Sequence, residues 1–224
     1  SKSVPPPKKE ILSGVFEIIM LFIILNNKVY IKKNMIKLLI TGSNSFLGKQ
    51  LINNIDIHQY ELYCIDIQTI KNKKTNFKYK KINLNNKKLN IFDGKFDIII
   101  HLAAVSNEFD CQSNINNCYN TNIGGTINLL NNIDLKRLKK FIFASSEWIY
   151  PSKKTFSNFK SKININKFFS HYANTKYLNE KLLNIYSLNY KFISLHLRFG
   201  ILYGERLKNF SAFESLVFKV YGKK

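Results

Sequence analysis

Three side chains have the types and the order of a proton-transfer site: Ser146, Tyr172 and Lys176. Tyr172 and Lys176 form Tyr-x-x-x-Lys, and on a helix positions i and i+4 share one face, one turn apart. An ammonium beside a phenol favours the phenolate and lowers the phenol's pKa, so the tyrosine can exchange protons near neutral pH. Ser146 closes an apolar segment upstream, where its hydroxyl could bond the same reacting oxygen. Tyr-x-x-x-Lys alone is common by chance. Ser-Tyr-Lys in this order, downstream of a glycine turn, is a narrower pattern.

That glycine turn lies in Ile36–Gly48, which reads I-K-L-L-I-T-G-S-N-S-F-L-G. Ile36, Leu38, Leu39 and Ile40 make a short apolar run suited to one buried strand. Gly42 follows, and Phe46-Leu47-Gly48 opens a helical pattern through Leu51, Ile52 and Ile55. Strand, glycine turn and helix form the setting in which backbone amides approach a pyrophosphate at the positive end of a helix. Gly42 and Gly48 lack a third glycine between them, because Ser45 stands at the middle position. Alone, the stretch fits an ordinary strand-to-helix turn equally well. Asp66 ends the second strand, where a carboxylate can accept the adenosine ribose hydroxyls and repel a 2′-phosphate. A plain loop aspartate also fits there, and Lys71, Lys73 and Lys74 nearby leave NADP open.

These residues need an alternating scaffold, and the pattern from Met35 onward provides one. Strands are expected at Ile36–Thr41, Glu61–Ile65, Tyr79–Asn83, Asp97–Leu102, Phe141–Phe143 and Phe192–Phe199. Helices are expected at Phe46–Ile55, Ile115–Ile133, Tyr172–Leu188 and Leu207–Tyr221, with a loop over Lys153–Lys167. Strands separated by helices imply right-handed crossovers and a doubly wound parallel α/β sheet, a Rossmann fold. Ligands bind such sheets beyond the carboxyl ends of the strands, where Gly42, Asp66, Ala103-Ala104, Ser146 and the segment after Phe199 fall.

The chain has 224 residues with 45% hydrophobic content, enough for a sizeable core. The net charge of +21 raises nucleic acid as a partner. The excess is nearly all lysine, spread along the chain, with arginine only at 137, 198 and 206. Heavy asparagine and isoleucine use accompanies it, so biased composition explains the charge better than a binding patch. Cys64, Cys111 and Cys118 form no metal-ligand cluster; their odd count predicts free thiols in a reducing compartment. No metal site is expected. Ile11–Leu25 is apolar but interrupted and too short to span a bilayer.

Taken together, the motifs resemble the extended short-chain dehydrogenase/reductases, specifically the NAD-dependent epimerase/dehydratase group that acts on nucleotide sugars. The matching segments are Thr41–Gly48, Asp66, Asn83-Leu84, Asp97–Ala104, Asn122–Thr126 (N-I-G-G-T), Phe141–Tyr150, Tyr172–Lys176 (Y-A-N-T-K) and Leu197–Gly204. The resemblance implies NAD with its pyrophosphate over Ser45-Phe46-Leu47, between Gly42 and Gly48. Its ribose would sit on Asp66 and its adenine near Asn83-Leu84, with Leu102-Ala103-Ala104 lining the cofactor. Tyr172 would be the acid/base. Lys176 would hold the nicotinamide ribose and tune Tyr172, and Ser146 would position a sugar hydroxyl. Asn122 would support the site's geometry.

Ser45, Asn83 and Pro151 depart from the family's usual residues. Dehydratases of the family carry Asp-Glu after the position of Ser146; Glu147-Trp148 here tilts the expectation toward epimerase or reductase. The resemblance further implies a cytoplasmic protein with a nucleotide-sugar substrate and no nucleic-acid or membrane partner; a homodimer is left open. The domain is expected at 35–206, preceded by an extension at 1–34. Residues 207–224 are expected to be the vestige of a C-terminal substrate lobe that family members continue further. A non-catalytic dinucleotide-binding chain is the alternative.

Overall fold

Apolar runs flanked by glycine and polar turns become the buried strands of one parallel sheet. The computed structural model describes residues 35–56, 58–69, 77–150, 163 and 170–202. The expected extension at 1–34, the helix Leu207–Tyr221, the lysines at 71, 73 and 74, Pro151 and nearly all of the loop Lys153–Lys167 lie outside the described residues.

The strands are β1 Ile36–Thr41, β2 Tyr60–Asp66, β3 Lys78–Lys81, β4 Ile98–His101, β5 Lys140–Ser146 and β6 Ile193–Phe199. All neighbours pair in parallel, in the order β3-β2-β1-β4-β5-β6. This is the doubly wound order, and its direction reverses between β1 and β4, the place where such sheets open a ligand crevice. The register sets Thr41 against His101 and Ser146 against Phe199, so the chemically interesting strand ends lie along one edge. Leu38, Leu39 and Ile40 on β1 and Ile98, Ile99 and Ile100 on β4 are buried, as central strands covered on both faces require. Edge strand β3 carries Lys-Tyr-Lys-Lys and leaves its ends exposed.

The helices are α1 Phe46–Asn54, α2 Glu108–Ser113, α3 Ile115–Tyr119, α4 Gly125–Asn131 and α5 His171–Tyr190. One continuous helix was expected over Ile115–Ile133. Instead a π-helical stretch, Asn120–Gly124, separates α3 from α4. The short helix α2 had no counterpart in the sequence reading.

Asn114 breaks the chain between α2 and α3 at φ −148°, ψ 84°, and its side chain caps Asn117 N at 2.9 Å. The fold-back places Cys111 and Cys118 in contact, and they form a disulfide with a Cα–Cα distance of 4.9 Å. This corrects the expectation of three free thiols. Only Cys64 remains free, and burial pushes its thiol pKa up to about 12. Met35–Gly200 form one compact unit, and among the described residues no helix is long and apolar enough to cross a membrane.

Candidate active site

The β1–α1 turn has two glycines for steric reasons. Gly42 takes φ +66°, and a Cβ there would lie 2.6 Å from Ala103 N; one on Gly48 would lie 2.6 Å from Gly42 O. Either contact is far inside van der Waals range, so both positions need hydrogen. Ser45 holds the middle position without strain. Its φ is −63°, and its Oγ caps α1 by accepting from Gly48 N at 3.1 Å. The missing glycine is thus replaced by a helix cap. A cradle that any Cβ would fill fits close approach of the backbone to a pyrophosphate.

Asp66 sits beside this turn. Its Oδ2 accepts from Asn44 N at 2.8 Å and its Oδ1 from Gln68 N at 2.9 Å. Each carboxylate oxygen therefore keeps acceptor capacity for a ribose hydroxyl. Asn83 folds into a local turn, its Oδ1 accepting from Asn85 N at 3.0 Å. Leu84 is buried in the core, and its carbonyl accepts from Asn128 Nδ2 at 2.9 Å. Leu102 and Ala103 follow β4 and are tied to Thr41: Leu102 N donates to its carbonyl at 3.1 Å and Ala103 N to its Oγ1 at 3.3 Å. Ala104 follows them, half-buried.

Asn122 lies in the π stretch and is almost fully buried. Its side chain accepts from Val105 N at 2.7 Å and donates to Val105 O at 3.1 Å and Thr175 Oγ1 at 2.9 Å. Its own carbonyl accepts from Thr126 Oγ1 and Asn179 Nδ2, both at 2.7 Å. Local π register frees a carbonyl for such bonds, and such bulges cluster at functional sites. The amide is taken up by protein partners, which makes Asn122 a brace between the β4 loop and α5.

Ser146, Tyr172 and Lys176 converge at the carboxyl ends of β5 and β6. Ser146 is buried, accepts from Trp148 N at 3.2 Å, and lies close enough to Tyr172 to act on its phenol. Lys176 is buried, donates from Nζ to Ala144 O at 2.7 Å, and lies 5.6 Å from the centre of the Tyr172 ring. The electrostatics differ from the expectation. Burial raises the Tyr172 pKa, with the Ser146 side chain pulling it partway back, and Lys176 contributes no lowering. Burial also drops Lys176 itself to about 7, so part of its charge is absent at neutral pH and Nζ is aimed at a carbonyl. Burial thus outweighs proximity.

Three further features escaped the sequence reading. His101 is buried between Thr41 Oγ1 at 2.6 Å and Thr126 Oγ1 at 3.0 Å. Burial, helped by the charge of Lys176, pushes it down to about 3, so it is a neutral strut. Glu180, one turn beyond Lys176, accepts from Ser145 Oγ at 2.5 Å and binds Arg198 in two places at 2.9 and 2.6 Å. Arg198 in turn donates to Tyr150 Oη at 2.6 Å. Glu108 on α2 accepts from the first residues of α5. The position of Glu180 at i+4 from Lys176 was the one available signal, since it predicts a carboxylate on the inward face.

A family model for the NAD dependent epimerase/dehydratase family matches residues 38–221. The chain belongs to that family. A curated relative, the "Putative UDP-glucose 4-epimerase" of Methanocaldococcus jannaschii, is 27% identical over 174 residues, covering 75% of this chain and 57% of the relative. The UDP-glucuronic acid 4-epimerase of Bacillus cereus, solved with UDP-glucuronic acid and NAD, superposes with a TM-score of 0.71 at 24% identity, covering 84% of this chain and 64% of that one. The UDP-glucose 4-epimerase of Thermotoga maritima, solved with UDP-glucose, gives 0.72 at 21% identity, covering 82% and 62%. The chain therefore spans about three fifths of these relatives' length. The family is NAD dependent, and the sheet order and glycine cradle are those of a nucleotide-binding Rossmann fold.

Proposed function

We propose that this member of the NAD dependent epimerase/dehydratase family acts in the epimerisation of a nucleotide sugar, with Tyr172 as its acid/base. The observation that carries the reading is the convergence at the carboxyl edge of the sheet of buried Ser146, Tyr172 and buried Lys176, whose Nζ lies 5.6 Å from the centre of the Tyr172 ring. The charge of Lys176 also reaches His101, whose ring bonds Thr41 directly before the glycine turn. This supports reading the proton-transfer group and the cofactor cradle as parts of one site. Ser45, Phe46 and Leu47 would hold the pyrophosphate, Asp66 the ribose, and Asn83-Leu84 and Leu102–Ala104 the adenine side and flank. Bound NAD supplies a reversible hydride acceptor. Tyr172 Oη would take the proton of a sugar hydroxyl and later return it, Ser146 Oγ would hold that oxygen, and Lys176 Nζ would support the cofactor's ribose.

The matched relatives are named as UDP-sugar 4-epimerases, and Ser146 is followed by Glu147-Trp148 rather than Asp-Glu, so epimerisation is favoured over dehydration. The cytoplasmic placement and the option of a homodimer go with this reading. The Cys111–Cys118 bridge, with both residues fully buried, removes the free-thiol argument for that placement, which rests on the family alone. A dinucleotide-binding chain without turnover is the second reading, favoured by the share of the relatives' length that the chain spans.

The test is to supply NAD with UDP-glucose or UDP-glucuronic acid and follow the sugar by NMR. Appearance of the 4-epimer supports the first reading. NAD binding without turnover leaves the second, and failure to bind NAD sinks both. NAD should also bind more tightly than NADP, because the Asp66 carboxylate repels a 2′-phosphate. Asp66→Ala should narrow the gap, and Asp66→Asn should narrow it less; equal affinities in the wild type would remove Asp66 from the site.

A further inference from the structure

The helix that carries Tyr172 begins without an acidic residue in its own first turn. The first amides of any helix lack intrahelical partners, and their orientation sets the aim of the side chains they carry. Here the missing acceptor comes from far away in sequence. Glu108 Oε1 accepts from His171 N at 3.1 Å, and Oε2 accepts from Tyr172 N at 2.9 Å and from Ser170 Oγ. Both carboxylate oxygens are thereby used on three consecutive residues, the last of which is Tyr172.

We infer that Glu108 is the positioning residue for Tyr172, clamping its backbone so that the phenol meets Ser146. This rests on Tyr172 being the acid/base of the proposed function. The clamp is braced from behind. Glu108 lies on α2, which is bridged to α3 by Cys111–Cys118. At the end of α3, Tyr119 Oη accepts from Asn174 Nδ2 at 2.8 Å, and Asn122 just beyond bonds Thr175. The α2–α3 pair thus grips the first turn of α5 at several points, and of these hydrogen bonds it is that of Glu108 that reaches the residue that would do chemistry. Burial acts to raise the Glu108 carboxyl pKa, but its bonds to Ser170, Tyr172 and His171 prevail and hold it below the usual value, so it is ionised at neutral pH. A charged acceptor suits the positive end of a helix. Glutamine could supply only one acceptor oxygen, so the two-pronged grip requires the carboxylate.

The chain has a single tryptophan, Trp148, and it lies edge-on to Tyr172 with ring centres 6.4 Å apart. Its fluorescence therefore reports where the Tyr172 ring sits. The experiment compares wild type, Glu108→Ala, Glu108→Gln and Tyr172→Ala, reading Trp148 emission and NAD affinity in the folded full chain. Tyr172→Ala defines the part of the emission that depends on the ring. Glu108→Ala is expected to reproduce most of that change, and Glu108→Gln a smaller share, with NAD affinity in both within about threefold of wild type. A general loss of structure would lower NAD affinity as well, so retained affinity separates positioning from unfolding. Wild-type emission in Glu108→Ala, or in Glu108→Gln should the alanine variant fail to fold, overturns the inference. Wild type failing to bind NAD would sink the functional reading instead, while the Trp148 comparison still judges Glu108.

Discussion

Replacing Tyr172 with Phe is expected to lower nucleotide-sugar turnover about 10²–10⁴-fold, the usual share of general acid/base catalysis, while leaving NAD affinity within about threefold of wild type. The substitution removes one oxygen and keeps the ring that packs on Trp148. Its phenol pKa is raised by burial, so phenolate is scarce at neutral pH. If phenolate is the base, turnover rises with pH through the neutral and alkaline range. Ser146 is the one side chain that pulls this pKa down. Ser146→Ala should therefore move the alkaline rise to higher pH as well as lowering the rate. Turnover that ignores the loss of the phenol oxygen would remove Tyr172 from the chemistry. NAD affinity falling in step with turnover would make the ring a binding element only.

The convergence of Ser146, Tyr172 and Lys176 was legible because the sequence encodes coordinates along elements. A strand end locates Ser146, and helical spacing puts Tyr172 and Lys176 on one face. Burial is a property of the fold, so the sign of the Tyr172 shift was misjudged. Glu108 was illegible for a different reason. It sits in S-N-E-F-D-C-Q-S-N, a stretch without a helical apolar period, and its partners lie more than sixty residues onward. The π stretch was hidden because apolar residues at Ile123, Ile127 and Leu130 carry a helical period straight through it. A spacing of seven between Cys111 and Cys118 predicts no bridge, since seven residues of helix span about 10 Å. Only the break at Asn114 closes the distance.

Glu180→Gln is expected to destabilise the fold by about 3 kcal/mol at pH 7, because removing one member of a buried ion pair strands the other. For a chain of this size that is a drop in Tm of about 6–12 °C. The site argues for the lower part of what breaking such a pair costs, because Arg198 is only partly buried. Glu180 is buried, Arg198 grips it in two places, and Ser145 completes its shell. His196, at 3.9 Å, is held below its usual pKa by burial, so it offers no compensating charge at pH 7. The sign of the pH dependence follows from the Glu180 shift. Burial acts to raise its pKa, but the bonds from Arg198 and Ser145 prevail and the folded value lies below 4.5. A lowered folded pKa gives stability that is full above the unfolded value and is lost as pH falls through the folded one. The gap between wild type and Glu180→Gln should therefore be constant near neutrality and close below pH 4.5. Asp93, Asp97, Glu61 and Glu108 are also lowered, and they weaken both proteins alike in acid, so they cancel in the difference. A gap that persists undiminished at pH 3 would assign the loss to packing rather than to the charge pair. No gap at pH 7 would mean that Arg198 finds another partner, and that β6 and the end of β5 are held together by backbone pairing alone.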